Sequence, residues 1–157
     1  MGVKEKIVEA IYEIFVNAQI HSETKAIYTC GQFYPLKNKI EFTLVDTGIG
    51  FKNRINSRFD KSLSAIQAIQ WAVQDRKTTK REISGGLGLP LLREFIMMNH
   101  GKLQIVSNEG FYEFQKGNES ARQFSGQFPG TIINLQFSTD DRNLYSLTSE
   151  IDENDIF

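Results

Sequence analysis

Val45-Asp46-Thr47-Gly48-Ile49-Gly50-Phe51 closes a β-rich run with an acid followed by two alternate glycines. Glycine lets the backbone turn sharply there and lets a ligand approach the main chain closely. An Asp leaving a sheet at such a turn can accept a hydrogen bond from an exocyclic amine, although Asp and Gly also favour plain strand-ending turns. Upstream, Ala26 to Tyr34 and Lys39 to Val45 are rich in β-branched and aromatic residues and flank the turn-forming Pro35 to Asn38, which predicts a β-hairpin. Before the hairpin, Ile7, Ala10, Ile11, Ile14, Phe15 and Ala18 recur at three- and four-residue steps, an amphipathic helix over Val3 to Ile20.

Downstream, Leu63, Ile66, Ile69, Ala72 and Val73 share one side of a second helix over Lys61 to Gln74, and Trp71 falls in its apolar stripe. A polar stretch, Asp75 to Ser84, follows. Leu89 to Asn99 makes a third helix, stopped by Gly101. Lys102 to Ser107, Phe111 to Gln115 and Thr131 to Phe137 read as three more strands, with a polar loop from Lys116 to Gln127 before the last. This order predicts an α+β fold, a two-layer α/β sandwich whose mixed, mainly antiparallel sheet is covered by helices on one face. Residues 1–138 form the expected domain. In 139–157 Asp140, Asp141, Glu150, Asp152, Glu153 and Asp155 face a single base, Arg142, which predicts a loose acidic tail.

The chain has 157 residues, of which 40% are hydrophobic, enough for one domain with its own core. A net charge of −1 supplies no field for a nucleic acid backbone or an anionic membrane. No apolar run approaches the roughly 20 residues of a membrane helix, and no signal-peptide pattern opens the chain. Cys30 is the only cysteine, which excludes an internal disulfide and fits a reducing, cytoplasmic setting.

Two further features carry chemistry. Glu13 and Asn17 stand four apart on the first helix and so reach the same ligand or metal. Ser84-Gly85-Gly86-Leu87-Gly88-Leu89 is a glycine-rich loop running into a helix, whose free amides and positive end suit phosphate. It lacks the Gly-Lys-Ser/Thr ending of a P-loop and is not the dinucleotide fingerprint.

In order, Glu13-x-x-x-Asn17-Ala18, Asp46-x-Gly48-x-Gly50, Gly86-x-Gly88-Leu89 and Gly130-Thr131 resemble the four boxes of the GHKL superfamily of gyrase, Hsp-type chaperones, histidine kinases and MutL. The likeness spans about residues 5 to 138 and implies the Bergerat fold with ATP and Mg²⁺ as cofactors. It implies that Asn17 holds Mg²⁺ against the phosphates and that Asp46 binds the adenine amine. Gly48 and Gly50 would shape the pocket, and Thr131 would support the base through water. Gly85, Gly86, Leu87, Gly88 and Leu89 would belong to a lid over the phosphates, within a lid region starting near Lys52. Glu13 would act as general base for hydrolysis, or assist an acceptor side chain in a kinase.

Gly86 to Leu92 followed by His100-Gly101-Lys102-Leu103 looks most like the histidine kinase branch, and Asn17-Ala18-x-x-His21 is similar to the anti-sigma factor serine kinases. Ser84 and Ile20 depart from the pattern, at positions where those kinases often have Gly and Lys. Neither His21 nor His100 is placed as a phosphoacceptor; the resemblance implies an acceptor on a separate helical domain outside this chain. The expected activity is phosphotransfer from ATP to that protein acceptor. The other reading is a nucleotide-gated or anti-sigma-like interaction module with little turnover.

Overall fold

Four antiparallel strands in the order β1-β2-β4-β3 make the sheet, and every pairing between them is antiparallel rather than mixed. The computed structural model describes residues 8, 11–16, 18–19, 24–74 and 88–140. Helix α1 is seen at residues 11–16 and 18–19. It is followed by β1 (Ile27–Tyr34), a 3-10 turn (Pro35–Lys37), β2 (Lys39–Asp46), α2 (Gly50–Phe59), α3 (Ala65–Val73), α4 (Gly88–Met98), β3 (Lys102–Gln115) and β4 (Asn118–Ser138).

The first hairpin forms where its residue types direct it. Pro35 pre-sets the turn, Asn38 takes the left-handed conformation at φ 46, and its N–H returns to the Pro35 carbonyl at 3.2 Å. The second helix starts later than its apolar pattern suggests, at Ala65. Ser64 and Gln67 form a reciprocal capping box, Gln67 N–H to Ser64 Oγ at 3.2 Å and Ser64 N–H to Gln67 Oε1 at 2.9 Å, which sets the boundary. The third helix ends at Met98, and His100 turns left-handed at φ 56 so that the Gly101 N–H can close on the Ile96 carbonyl at 3.0 Å.

The strands expected over Lys102 to Ser107 and Phe111 to Gln115 are the two arms of β3. Gln104 Nε2 donates to Glu113 Oε2 at 2.6 Å across nine positions of one strand, where extended chain would separate them by roughly 30 Å. The strand therefore doubles back at Asn108, which sits at φ 54. β4 embraces both arms: Asn118 to Gln123 pairs with Gln115 to Gly110, and Thr131 to Gln136 pairs with Ser107 to Lys102. The polar loop expected from Lys116 to Gln127 is instead a two-residue turn, Lys116-Gly117, leading straight into β4. Positive φ at both residues, 52 and 76, suits a tight hairpin of primed type.

Pairing registers stack the apolar residues in rows across one face. Phe42, Leu135 and Leu103 form one row, and Leu44, Ile133 and Ile105 the next. Tyr112 and Phe114 on the second arm of β3 complete this core, together with Ile69 of α3 and Leu92 and Ile96 of α4. Burying each such side chain is worth about 1.5–3 kcal/mol. Gly110 lets α3 come close, since a Cβ there would lie 3.1 Å from Ala65. The opposite face is polar at its centre, where Thr43 donates to Asn134 at 2.7 Å, Asn134 to Gln104 at 3.1 Å and Gln104 to Glu113. That ladder suits a face turned to water, so the helices occupy one layer.

Two polar ties hold the layers in register. Asn99 exchanges hydrogen bonds with the Ser138 main chain at 2.7 and 3.1 Å. Arg93 lies 4.4 Å over the Phe114 ring and donates to Tyr112 Oη at 3.2 Å and to Glu119 at 3.0 Å. Past β4, the expected boundary at residue 138 is not abrupt, because the Thr139 N–H still donates to the Asn38 carbonyl at 2.8 Å. Residues 141–157 of the acidic tail lie outside the described residues. No described helix is long and apolar enough to cross a membrane.

Candidate functional site

The apolar rows end in a polar one. Asp46 on β2 faces Thr131 on β4, and Thr131 faces Ser107 on β3. All three are buried, with 3%, 6% and 1% of their surface exposed, although they continue the alternation that elsewhere carries Leu and Ile. Buried polar atoms need partners. The Ser107 hydroxyl donates to the Gly130 carbonyl at 3.1 Å, stands 3.3 Å from Thr131 Oγ1, and accepts the Phe51 N–H at 2.8 Å. Asp46 Oδ1 accepts the Gly48 N–H at 2.9 Å, which folds the chain back over the end of β2.

The glycines of this turn have distinct tasks. Gly50 is at φ +75, and a Cβ there would lie 2.8 Å from Asn108 Cγ, so only glycine fits against that side chain. Gly48 supplies the amide that binds Asp46. Asn108 reaches across the same gap, donating to the Ile49 carbonyl at 3.2 Å and accepting the Lys52 N–H at 3.3 Å. The first turn of α2 is thus pinned beside the polar row, and Lys52 adds an ion pair to Glu109 at 2.6 Å.

That ion pair yields a pH prediction. The hydrogen bond from Lys52 holds the Glu109 carboxyl below its usual value, partly offset by its burial. A depressed carboxyl stabilises the fold above its unfolded pKa and loses that contribution as pH falls through the folded one. Both side chains are partly exposed, so Glu109→Gln is expected to cost about 0.5 kcal/mol at pH 7. In thermal melts the cost should shrink as pH falls below the usual carboxylate range; an equal cost at neutral and acid pH would mean that the pair does not hold α2.

Glu13 is half-buried on α1, next to the buried Ile14. Ile14, Ala18, Leu44 and Leu89 belong to the same apolar core, so α1, β2 and the start of α4 all pack on it. Gly88 is the first residue of α4 and is buried, as is Leu89. Asn17, Gly85, Gly86 and Leu87 lie outside the described residues, as does the 75–87 part of the expected lid. Among the described residues no three His, Cys, Asp or Glu side chains group as a metal site.

Three neighbours of the site were not singled out from the sequence. Ser107 had a signal: it is the polar member of the Leu103, Ile105, Ser107 alternation. Asn108 is visible only through its contacts. Arg54 lies on α2, within the segment expected to belong to an irregular lid; the signal for this helix was the four-residue spacing of Phe51, Ile55 and Phe59. Burial lowers the Arg54 pKa from its usual value, repulsion by Arg58 lowers it further, and attraction to Asp46 opposes both. Trp71 packs its ring 4.9 Å from that of Phe59, joining α3 to α2.

No protein-family model matches this chain, and no curated protein matches it.

Proposed function

We propose that this chain is a nucleotide-binding domain with the Bergerat fold of the GHKL superfamily, taking Mg²⁺-ATP for phosphotransfer to a protein acceptor outside it. The observation that carries this reading is the buried row of Asp46, Thr131 and Ser107 where the apolar rows stop. A buried carboxylate beside hydroxyls, under a turn of glycines, fits a ligand that donates an N–H and presents a flat apolar ring to the core. Adenine is such a group. Leu44, Ile133 and Leu89 would contact the ring, and Asp46 would accept from its amine.

The other roles rest on the resemblance. Asn17 would hold the Mg²⁺, and the amides of Gly85 to Gly88 would meet the phosphates. Bound ATP supplies a transferable γ-phosphoryl group. Glu13, half-buried and four residues before Asn17 in the sequence, would orient the attacking hydroxyl or water.

The reading is tested by thermal melts with Mg²⁺-ATP or a non-hydrolysable analogue. Saturation at about a hundred times Kd should raise Tm by roughly 5–10 °C in a domain of this size. No shift at millimolar nucleotide would sink it. Single-turnover assays with labelled ATP, with and without a candidate acceptor protein, then separate phosphotransfer from a nucleotide-gated module.

A further inference from the structure

β1 stands last in the strand order, and among the described residues no strand pairs beyond it. Its register with β2 runs unbroken from Ile27 to Tyr34, and Thr29, Cys30, Gly31, Gln32 and Phe33 are all exposed. Which main-chain groups face outward follows from the far side of β2. The Thr139 N–H donates to the Asn38 carbonyl at 2.8 Å while Lys39 pairs with Ser138. Lys39 thus holds a non-hydrogen-bonded position towards β4 and turns its own N–H and C=O to β1, where its partner is Tyr34. Alternation then directs the main-chain groups of Tyr28, Cys30, Gln32 and Tyr34 onto β2, and those of Ile27, Thr29, Gly31 and Phe33 away from the sheet.

Native edge strands are ordinarily blunted by charge, proline or a bulge. β1 has none of the three, since its residues read IYTCGQFY in unshifted register. The exposed start of β4 differs: Glu119 is ion-paired to Arg93, and Arg122 lies over the Phe111 ring. Pairing of β1 with that charged segment of another copy is therefore disfavoured, whereas β1 matches itself. Laid antiparallel on a second copy about Cys30, Ile27 meets Phe33 of that copy and Thr29 meets its Gly31, so every outward N–H and C=O finds a partner. The exposed Phe33 ring then covers Ile27, an aromatic on a β-branched side chain, and Thr29 faces a glycine without crowding. No charge confronts its like, because the strand carries none. Cys30 falls on the two-fold axis in a non-hydrogen-bonded pair, whose Cα atoms lie about 4.5 Å apart, within the range a disulfide spans.

We infer that β1 is a dimer interface: two copies of this chain pair by their β1 edges, antiparallel about Cys30, into one continuous sheet closed by two-fold symmetry. This pairing uses none of the residues assigned to ATP, so it stands or falls apart from the nucleotide reading.

Sedimentation equilibrium of the reduced whole chain at micromolar concentration should give twice its 17.9 kDa. Diamide should then join the dimer covalently through Cys30, the Sγ–Sγ bond forming as the two thiols pass two electrons and two protons to the oxidant. Thr29→Lys places a charge opposite Gly31 of the second copy, and Gly31→Pro removes an outward N–H that β2 does not use. Each is expected to weaken the dimer by about tenfold to a hundredfold and to slow the crosslink, with the circular dichroism of the chain retained. If Gly31→Pro does not fold, Thr29→Lys decides. A monomer at micromolar concentration overturns the proposal. So does a dimer that diamide does not crosslink, or one that Thr29→Lys leaves as tight as before.

Discussion

Asparagine in place of Asp46 is expected to weaken ATP binding by about tenfold to a hundredfold, the worth of a charge-assisted hydrogen bond to a desolvated group. The fold should tolerate the change. Asparagine is nearly isosteric and its Oδ1 can still accept the Gly48 N–H that Asp46 now receives. Removing a buried charge also relieves desolvation. The melting temperature of the free protein should therefore stay within about 4 °C, the shift that 1 kcal/mol makes at this size.

Selectivity should move with affinity. The carboxylate accepts from an amine but repels the carbonyl that guanine carries at the same position, so the parent protein is expected to prefer ATP to GTP. The asparagine amide can turn to donate or accept, so Asp46→Asn should narrow that preference. Titration of both proteins with both nucleotides measures it. Equal affinity of the parent for ATP and GTP would remove Asp46 from base recognition, whatever the variant did.

The largest loss of stability is expected from Gly130→Ala, about 2–4 kcal/mol by urea unfolding. Gly130 precedes Thr131, and a Cβ there would run into the Asp46 carbonyl and lie 2.7 Å from Thr47 Cα. Those are main-chain atoms of the neighbouring strand end, which cannot rotate away as a side chain would. The change must therefore push β4 from β2 at the polar row, and nucleotide affinity should fall along with stability. Gly126→Ala is the control, because its Cβ would meet only the Phe124 ring, at 3.7 Å, and should change stability by less than about 0.5 kcal/mol. Equal stability of the two variants would mean that β4 is not held against Asp46 and Thr47.

Local pattern made several elements legible. The hairpin of β1 and β2 follows from alternating β-formers around Pro35 and Asn38, and α4 from its helical apolar spacing up to Gly101, because each signal lies within a few residues of the structure it causes. The start of β4 was hidden for the converse reason. Asn118, Glu119, Ser120, Ala121, Arg122 and Gln123 are exposed and mostly polar, and nothing in their composition favours a strand. They are extended because each pairs with the second arm of β3, a partner supplied by the Lys116-Gly117 turn.

The candidate site divides along the same line. Asp46, Gly48 and Gly50 could each be picked out by residue type and spacing, since turn chemistry is local, whereas Thr131 entered only through the resemblance. That Asp46 stands opposite Thr131, and Thr131 opposite Ser107, is a matter of register between strands tens of residues apart, and a slip of one would send every one of these side chains to the other face. What holds the register is the need to keep Leu44, Ile133, Ile105, Leu103 and Leu135 together under α3 and α4. The sequence by itself marked Asp46 as the acid that ends a strand before a glycine turn. Only the packing of the apolar rows decided that Asp46, Thr131 and Ser107 meet, with the start of α2 fastened beside them through Phe51 and Lys52.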